Sequence, residues 1–580
     1  MRSIYSVFRE VVDRYGDKTV LMYKYGPQYE AITYRDLYDS INCFSEKLHL
    51  WGVQKDDKVG ILSSNRPEWV ITDLATMKLG AVLVPVYETL SSSEIKYIVD
   101  DAQVKALIVE GEYLDKVRKV QIELPTLKKI IVINKENLTP SEELFTFSAR
   151  KAKTLYTDSG ITNELATIVY TSGTTGKPKG VMLSQKNIIS NALALVDRGQ
   201  VTSQDIFLSF LPLSHMYERT VGYYAPLFAG AAIAYAENIN TIALNMQEIR
   251  PTIVNVVPRL LEKMYEKIWA ASHTSSNMKK ALFLAAVKNK NIYRELRANN
   301  KRISYVLKFK CKLLDILVCR KVRLKVGGRL RFFTSGGASL KKDISIFFDN
   351  FGIPILEGYG LTETSPVLTS NSQNDNKIGS AGKPLPNVKI KINKANSEVL
   401  AKGLGVMLGY FRNKQATDAA IDAEGWFHTG DIGSLDEEGY LTITGRLKEL
   451  IITSYGQKIS PDYVEEQILN SGFIDQVMVY GDGEKYLSAF IVPSKEQLKK
   501  QFLLQNPINW PKIFESDDIR QFINTEIEKN SVNLARYEKI KNFILLEEAF
   551  SVKNGLLTPT LKTKRKEVLK RFIEKTIVDK

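Results

Sequence analysis

Short apolar runs rich in β-branched residues recur along this chain, and stretches with helical spacing separate them. The runs read VGILSS, AVLVPV, ALIVEG, KIIVIN, ATIVYT, AAIAYA, TIVNVV, LRFFTS and PILEGYG. Between them lie patterns such as RPEWVITDLATMKLG, opened by Pro67, and SSSEIKYIVDDA, which carries a serine cap. Strand alternating with helix predicts α/β layers built on parallel sheets. At 580 residues the chain is too long for a single core, so a large N-terminal domain of stacked α/β sheets and at least one further domain are expected.

The rhythm breaks twice. Residues 262–329 are helix-rich and basic without clear strands, and they read as an insertion. From about residue 387 short strands and turns take over, as in VKIKI and the DEEG turn at 436–439, which predicts a β-rich subdomain over 387–447. The expected organisation is an N-terminal domain over 1–447 and a small, mobile α+β domain over 448–580, with strand-like VMVYG and LSAFIVP and a basic terminal helix.

Composition narrows the function classes. Ile4, Val7, Phe8, Val11, Val12 and Tyr15 share one helical face of SIYSVFREVVDRYG, which marks a docked helix and not a signal peptide. No run of about eighteen apolar residues argues for a membrane span. The three cysteines, Cys43, Cys311 and Cys319, form no close pair, so a reducing cytoplasm fits better than a disulfide framework. Four histidines leave little material for a histidine metal site. The net charge is +15, and Lys301 to Arg331 carries eleven Lys/Arg against one acid, Asp315. Interleaved with Ile303, Val306, Leu307, Leu313, Leu314, Ile316 and Leu317, that charge has two readings: a solvated face of a packed helix, or a basic amphipathic helix on the inner, anionic face of a membrane. Nucleic acid is disfavoured, because no binding motif or aromatic ladder accompanies the charge. The oligomeric state leaves no trace in the sequence.

One stretch carries clear chemistry. In IVYTSGTTGKPKGVMLSQKN, residues 168–187, an apolar strand breaks into a loop of small residues, followed by a helix capped near Ser184. Gly173, Gly176 and Gly180 let backbone amides approach an oligophosphate, Thr171, Ser172, Thr174 and Thr175 offer hydroxyls, and Lys177 and Lys179 add charge. The spacing is not that of a Walker loop. Further on, FLPLSHMYERTVG (210–222) places His215 after a Pro-Leu turn. TSGGASL (334–340) puts Gly336 and Gly337 at the end of a strand, where open α/β sheets bind ligands. EGYGLTETSPV (357–367) offers Tyr359 as a flat ring, Thr362 as a hydroxyl and Glu363 as a hard oxygen ligand. GWFHTGDIGSLDEEGYLTITGRLKELI (425–451) contributes Asp431 as an ionised acceptor and Arg446 as a forked donor.

Together these motifs resemble, in order and over about residues 8–575, the adenylate-forming superfamily of acyl-CoA synthetases, luciferases and adenylation domains. FLPLSHMYER, the long basic insertion and LTPTLK (557–562) are similar to its long-chain acyl-CoA synthetases. That resemblance implies ATP-dependent conversion of a fatty acid to acyl-AMP and pyrophosphate, then transfer to coenzyme A. It implies that Thr171, Ser172, Gly173, Thr174, Thr175, Gly176 and Lys177 hold phosphates, and that Gly336, Gly337, Glu357, Gly358, Tyr359, Gly360 and Thr362 surround the nucleotide. Asp431 would serve the ribose, Arg446 the ribose or a phosphate, and Lys448 would be the hinge. Glu363 with a loop threonine, Thr171 or Thr174, would hold Mg²⁺. His215 would orient the carboxylate, and Lys562 would be the catalytic lysine, although Lys564, Arg565 and Lys566 crowd it. The segment departs from the commoner Gly-Lys form by reading Leu561-Lys562. A fatty acyl-AMP ligase loading a carrier protein, an amino- or aryl-acid adenylating enzyme, and a membrane-surface protein with a degenerate site are the competing readings.

Overall fold

A computed structural model describes residues 3–134, 138–139, 142–145, 164–171, 177–505, 507–551, 553–557 and 563–578. The chain divides into two compact units: residues 1–391 with 400–428 and 435–442, and residues 392–399 with 429–434 and 443–580.

The first unit is built on two large sheets. One runs in the order 409–410, 179–184, 165–171, 82–86, 58–62, 104–110, 129–133 and 142–144. From 165–171 to 142–144 neighbouring strands are parallel, while 179–184 runs antiparallel to both of its neighbours; runs such as Val82–Val86 are buried at every position, as expected of a parallel sheet covered on both faces. The other has nine strands, in which 355–360, 332–335, 253–256, 206–209 and 232–235 lie side by side and parallel. Antiparallel strands close its edges.

The helices follow from local signals. Ile4–Tyr15 starts at Ser3, whose side chain accepts from the Ser6 amide, and buries Ile4, Val7, Phe8, Val11 and Val12. Ser92–Asp101 and Gln185–Gly199 open on reciprocal capping boxes, Ser91 with Glu94 and Ser184 with Asn187. Pro67–Lys78 is buried on every side, so its Asp73 must find partners inside the protein.

The second unit holds a three-stranded sheet, 474–480, 487–493 and 540–545, packed by helices that include Pro461–Ile468 and Asp517–Asn530. The fold is therefore α/β with a large N-terminal region of stacked sheets and an α+β C-terminal region.

Candidate active site

The antiparallel strands Leu165–Thr171 and Lys179–Ser184 are in register from Tyr170 opposite Gly180 to Thr171 opposite Lys179. Their connection therefore leaves from the carboxyl end of a buried strand. Ser172, Gly173, Thr174, Thr175 and Gly176 lie outside the described residues. The base of the connection is firmly built. A Cβ on Gly180 would stand 2.7 Å from the Ile168 side chain, so the strands pair only with glycine there. Tyr97 donates from its hydroxyl to the Pro178 carbonyl at 3.0 Å. Lys177 lies over the Tyr97 ring and Lys179 over the Tyr410 ring, at 5.6 and 5.0 Å.

Tyr410 joins two motifs that the sequence leaves far apart. The strand Gly409–Tyr410 pairs with Lys179–Ser184, Tyr410 opposite Val181, and the Tyr410 hydroxyl donates to Glu363 Oε1 at 3.0 Å. Burial, followed by the nearby Glu363 charge, raises the Tyr410 phenol well above its ordinary range, so it stays a donor. Glu363 sits in the single 3₁₀ turn Thr362–Thr364, which the Thr364 hydroxyl staples by accepting from the Leu361 amide at 3.0 Å. A Cβ on Gly360 would stand 1.8 Å from the Pro366 carbonyl oxygen, so the Tyr359-to-Thr362 bend tolerates no side chain. Glu357 is held by the Ser345 hydroxyl at 3.3 Å, and Gly358 and Tyr359 pair with Ser370 and Thr369.

His215 and Gly336 follow the carboxyl ends of parallel strands of the nine-stranded sheet, and Gly360 ends another of them. The turn before His215 is clamped by Asn65, which donates to the Leu211 carbonyl and accepts from the Leu213 amide. His215 Nδ1 accepts from the Tyr217 amide at 3.1 Å, which assigns the proton of the neutral ring to Nε2. The Tyr217 ring lies against Gly336, where a Cβ would meet it at 3.2 Å. Gly337 has φ +86°, a conformation suited to glycine.

A buried relay runs behind these residues. The Tyr217 and Thr334 hydroxyls lie 3.0 Å apart, Thr334 donates to Asn255 Oδ1 at 2.6 Å, and Asn255 Nδ2 donates to Glu218 Oε2 at 3.2 Å. Burial pushes the Glu218 carboxyl up to about 7, with Ser209 and Asn255 holding it back. The wide helical turn Glu218–Tyr224 directs Arg219, Tyr223 and Tyr224 onto Asp73, at 2.5, 3.0 and 2.6 Å. Tyr223 and Tyr224 are thus core residues with committed hydroxyls.

In the second unit Arg446 Nε meets Asp431 at 3.1 Å, and the Asp431 amide donates to the Thr429 hydroxyl at 3.1 Å. Lys448 is exposed in the short turn Leu447–Glu449. Lys562 lies outside the described residues. Arg565 is wholly engaged, with Glu449, Asp462 and both oxygens of Glu465, so it anchors the start of the terminal helix. Tyr410 and Asn65 carry no motif signal by themselves; only tertiary pairing places them, and the partners of Glu218 and Arg565 are likewise set by tertiary structure although both residues lie in or beside quoted motifs.

A family model described as AMP-binding enzyme matches residues 8–411, and one described as AMP-binding enzyme C-terminal domain matches 448–575. A long-chain-fatty-acid–CoA ligase of Mycobacterium bovis is 33% identical over 90% of this chain and 87% of its own. Long-chain-fatty-acid–CoA ligase 1 of Cavia porcellus is 32% identical over 99% and 86%. Among solved structures, an anthranilate CoA ligase in complex with anthranoyl-AMP superposes with TM-score 0.75 at 20% identity, over 100% and 98% of the two chains. ATP-bound MatB of Rhodopseudomonas palustris gives 0.73 at 22%, over 99% of each. By the family model and by its full-length relatives, the chain belongs to the AMP-binding enzyme family.

Proposed function

We propose that this protein is a long-chain fatty acid–CoA ligase, an AMP-forming acid–thiol ligase using ATP and coenzyme A. Within the structure, the observation that carries the reading is the Lys179–Tyr410–Glu363 cluster, which joins the base of the phosphate-type loop to the GYGLTE turn. The long-chain acid comes from the relatives, whose names specify it over nearly the whole length of this chain.

The chemistry follows from the substrate. A carboxylate has no adequate leaving group, so it must be activated before a thiol attacks it. One carboxylate oxygen attacks the α-phosphorus of ATP, the bond to the β-phosphate oxygen breaks, and pyrophosphate leaves. The CoA thiol, giving up its proton, then attacks the acyl carbon and AMP departs. In this reading residues 171–177 hold the phosphates, and Gly336, Gly337, Glu357 to Gly360 and Thr362 flank the nucleotide. Asp431 and Arg446 serve the ribose, His215 orients the acid through its Nε2–H, and Lys562 neutralises charge at the reacting oxygens. Lys448 is the pivot between half-reactions at a domain boundary after residue 447. Glu363 and the Thr171 hydroxyl suit Mg²⁺, which takes few protein ligands and leaves the rest to phosphate and water. Bound there, the ion would offset phosphate charge. The working compartment is the cytoplasm, with peripheral contact to an anionic membrane. Among the described residues no helix is long and apolar enough to cross one.

The test is ATP and CoA consumption with acids of graded length, on the wild type and Glu363→Ala, with a holo-carrier protein as alternative acceptor. Long-chain acids and CoA are expected to support turnover, and Glu363→Ala to remove most of it. Turnover with the carrier alone, or with aryl acids alone, would refute the assignment.

A further inference from the structure

The basic stretch singled out in the sequence folds as the helix Tyr305–Leu314, the wide turn Asp315–Cys319 and the helix Arg320–Lys325. Cys311, Leu314, Cys319 and Val326 are buried. An uninterrupted α-helix at 3.6 residues per turn would rotate Cys319 away from Leu314; the wide turn absorbs the extra residue and keeps one inward seam. Asp315 locks that orientation, accepting from Lys290 at 3.1 Å and Arg323 at 2.7 Å, while Arg323 also donates to the Phe351 carbonyl at 2.9 Å. The inner face is therefore settled.

The outer face is not a solvated polar one. Tyr305 is 84% exposed, Phe309 70% and Ile316 54%, with Leu313, Leu317 and Leu324 exposed beside them. Lys308, Lys310, Lys312, Arg320, Lys321 and Lys325 are exposed on the same run, and none forms an ion pair with a described residue. We infer that this outward face, Tyr305 to Lys325, is the surface by which the protein docks on an anionic lipid bilayer. The inference rests on the membrane contact in the proposed function and gives it a location. Charge complementarity selects the occupant. A second copy of the chain would set like charges against each other. A nucleic acid would satisfy the lysines while pressing Phe309, Leu313 and Ile316 against a polar backbone. An anionic bilayer takes both, apolar side chains into the acyl boundary and ammonium groups at the headgroups, with the lysine stems bridging the two.

The experiment uses the full chain without ATP or fatty acid, floated with phosphatidylcholine vesicles or with vesicles containing about a third phosphatidylserine. Binding to the anionic vesicles is expected to be about tenfold tighter or more, and to weaken as salt rises. Phe309→Ser with Leu313→Ser, and separately Lys308→Glu with Lys312→Glu, are each expected to weaken it about tenfold, with melting temperature and ligase turnover unchanged. Should the serine pair melt lower, the glutamate pair decides. Wild type that floats with neither vesicle overturns both the location and the membrane contact. Variants that float like wild type overturn the location alone, as does their loss of a dimer or of RNA binding instead. Ligase turnover, read separately, reports on the proposed function.

Discussion

Glu218 makes this protein's stability depend on pH in a direction opposite to that of most carboxylates. It is fully buried, its neighbour Arg219 is committed to Asp73, and Asn255 supplies a neutral donor. Burial raises its carboxyl from an ordinary 4.5 to about 7. The folded protein therefore holds a proton that the unfolded chain has already released between those two values. The contribution is fully present below the unfolded value and is lost as pH rises through about 7. Between pH 5 and pH 8 that loss amounts to about 2–3 kcal/mol. Glu218→Gln keeps the shape and an acceptor for Asn255 but cannot titrate. Urea unfolding at the two pH values is expected to show the wild type losing about 2–3 kcal/mol more than Glu218→Gln on going from pH 5 to pH 8. The contributions of all other groups cancel in that comparison. Parallel pH dependence in the two proteins would mean that Glu218 is ionised or solvated in the folded state.

Three further outcomes follow from single contacts. Asp73→Ala leaves Arg219, whose side chain is wholly buried, without its counter-charge; a loss of about 3–5 kcal/mol is expected, read as a lowered melting temperature. Gly360→Ala drives a methyl into the Pro366 carbonyl, so soluble yield and ATP-dependent turnover should both collapse; normal activity would mean the turn is not as described. Tyr410→Phe removes one hydrogen bond to Glu363, worth about 1 kcal/mol, so turnover should fall roughly fivefold and not vanish.

Much of this fold is legible as periodicity. Each of the nine apolar runs contains a strand, because buried parallel strands need near-continuous apolar sequence. Ser91 and Ser184 cap helices through the capping boxes their neighbours allow. What escapes is pairing over long sequence distance. Nothing near Tyr410 announces its bond to Glu363; it is placed by a two-residue strand joining the edge of a sheet. Charge is equally hard to assign from sequence. Asp73, Glu218 and Arg219 read as surface residues by type, and only a helix buried on all sides and a wide helical turn put them inside. The same turn geometry, at Asp315–Cys319, decides which residues of the basic stretch face out.

The proposed function is a two-step ligation in which Lys562 serves the first step. Separate assays of the half-reactions on Lys562→Ala test it most directly: acid-dependent pyrophosphate release from ATP, and CoA thioester formation from preformed acyl-adenylate. The first is expected to be lost and the second retained. Survival of both half-reactions, or equal loss of the two, would contradict it.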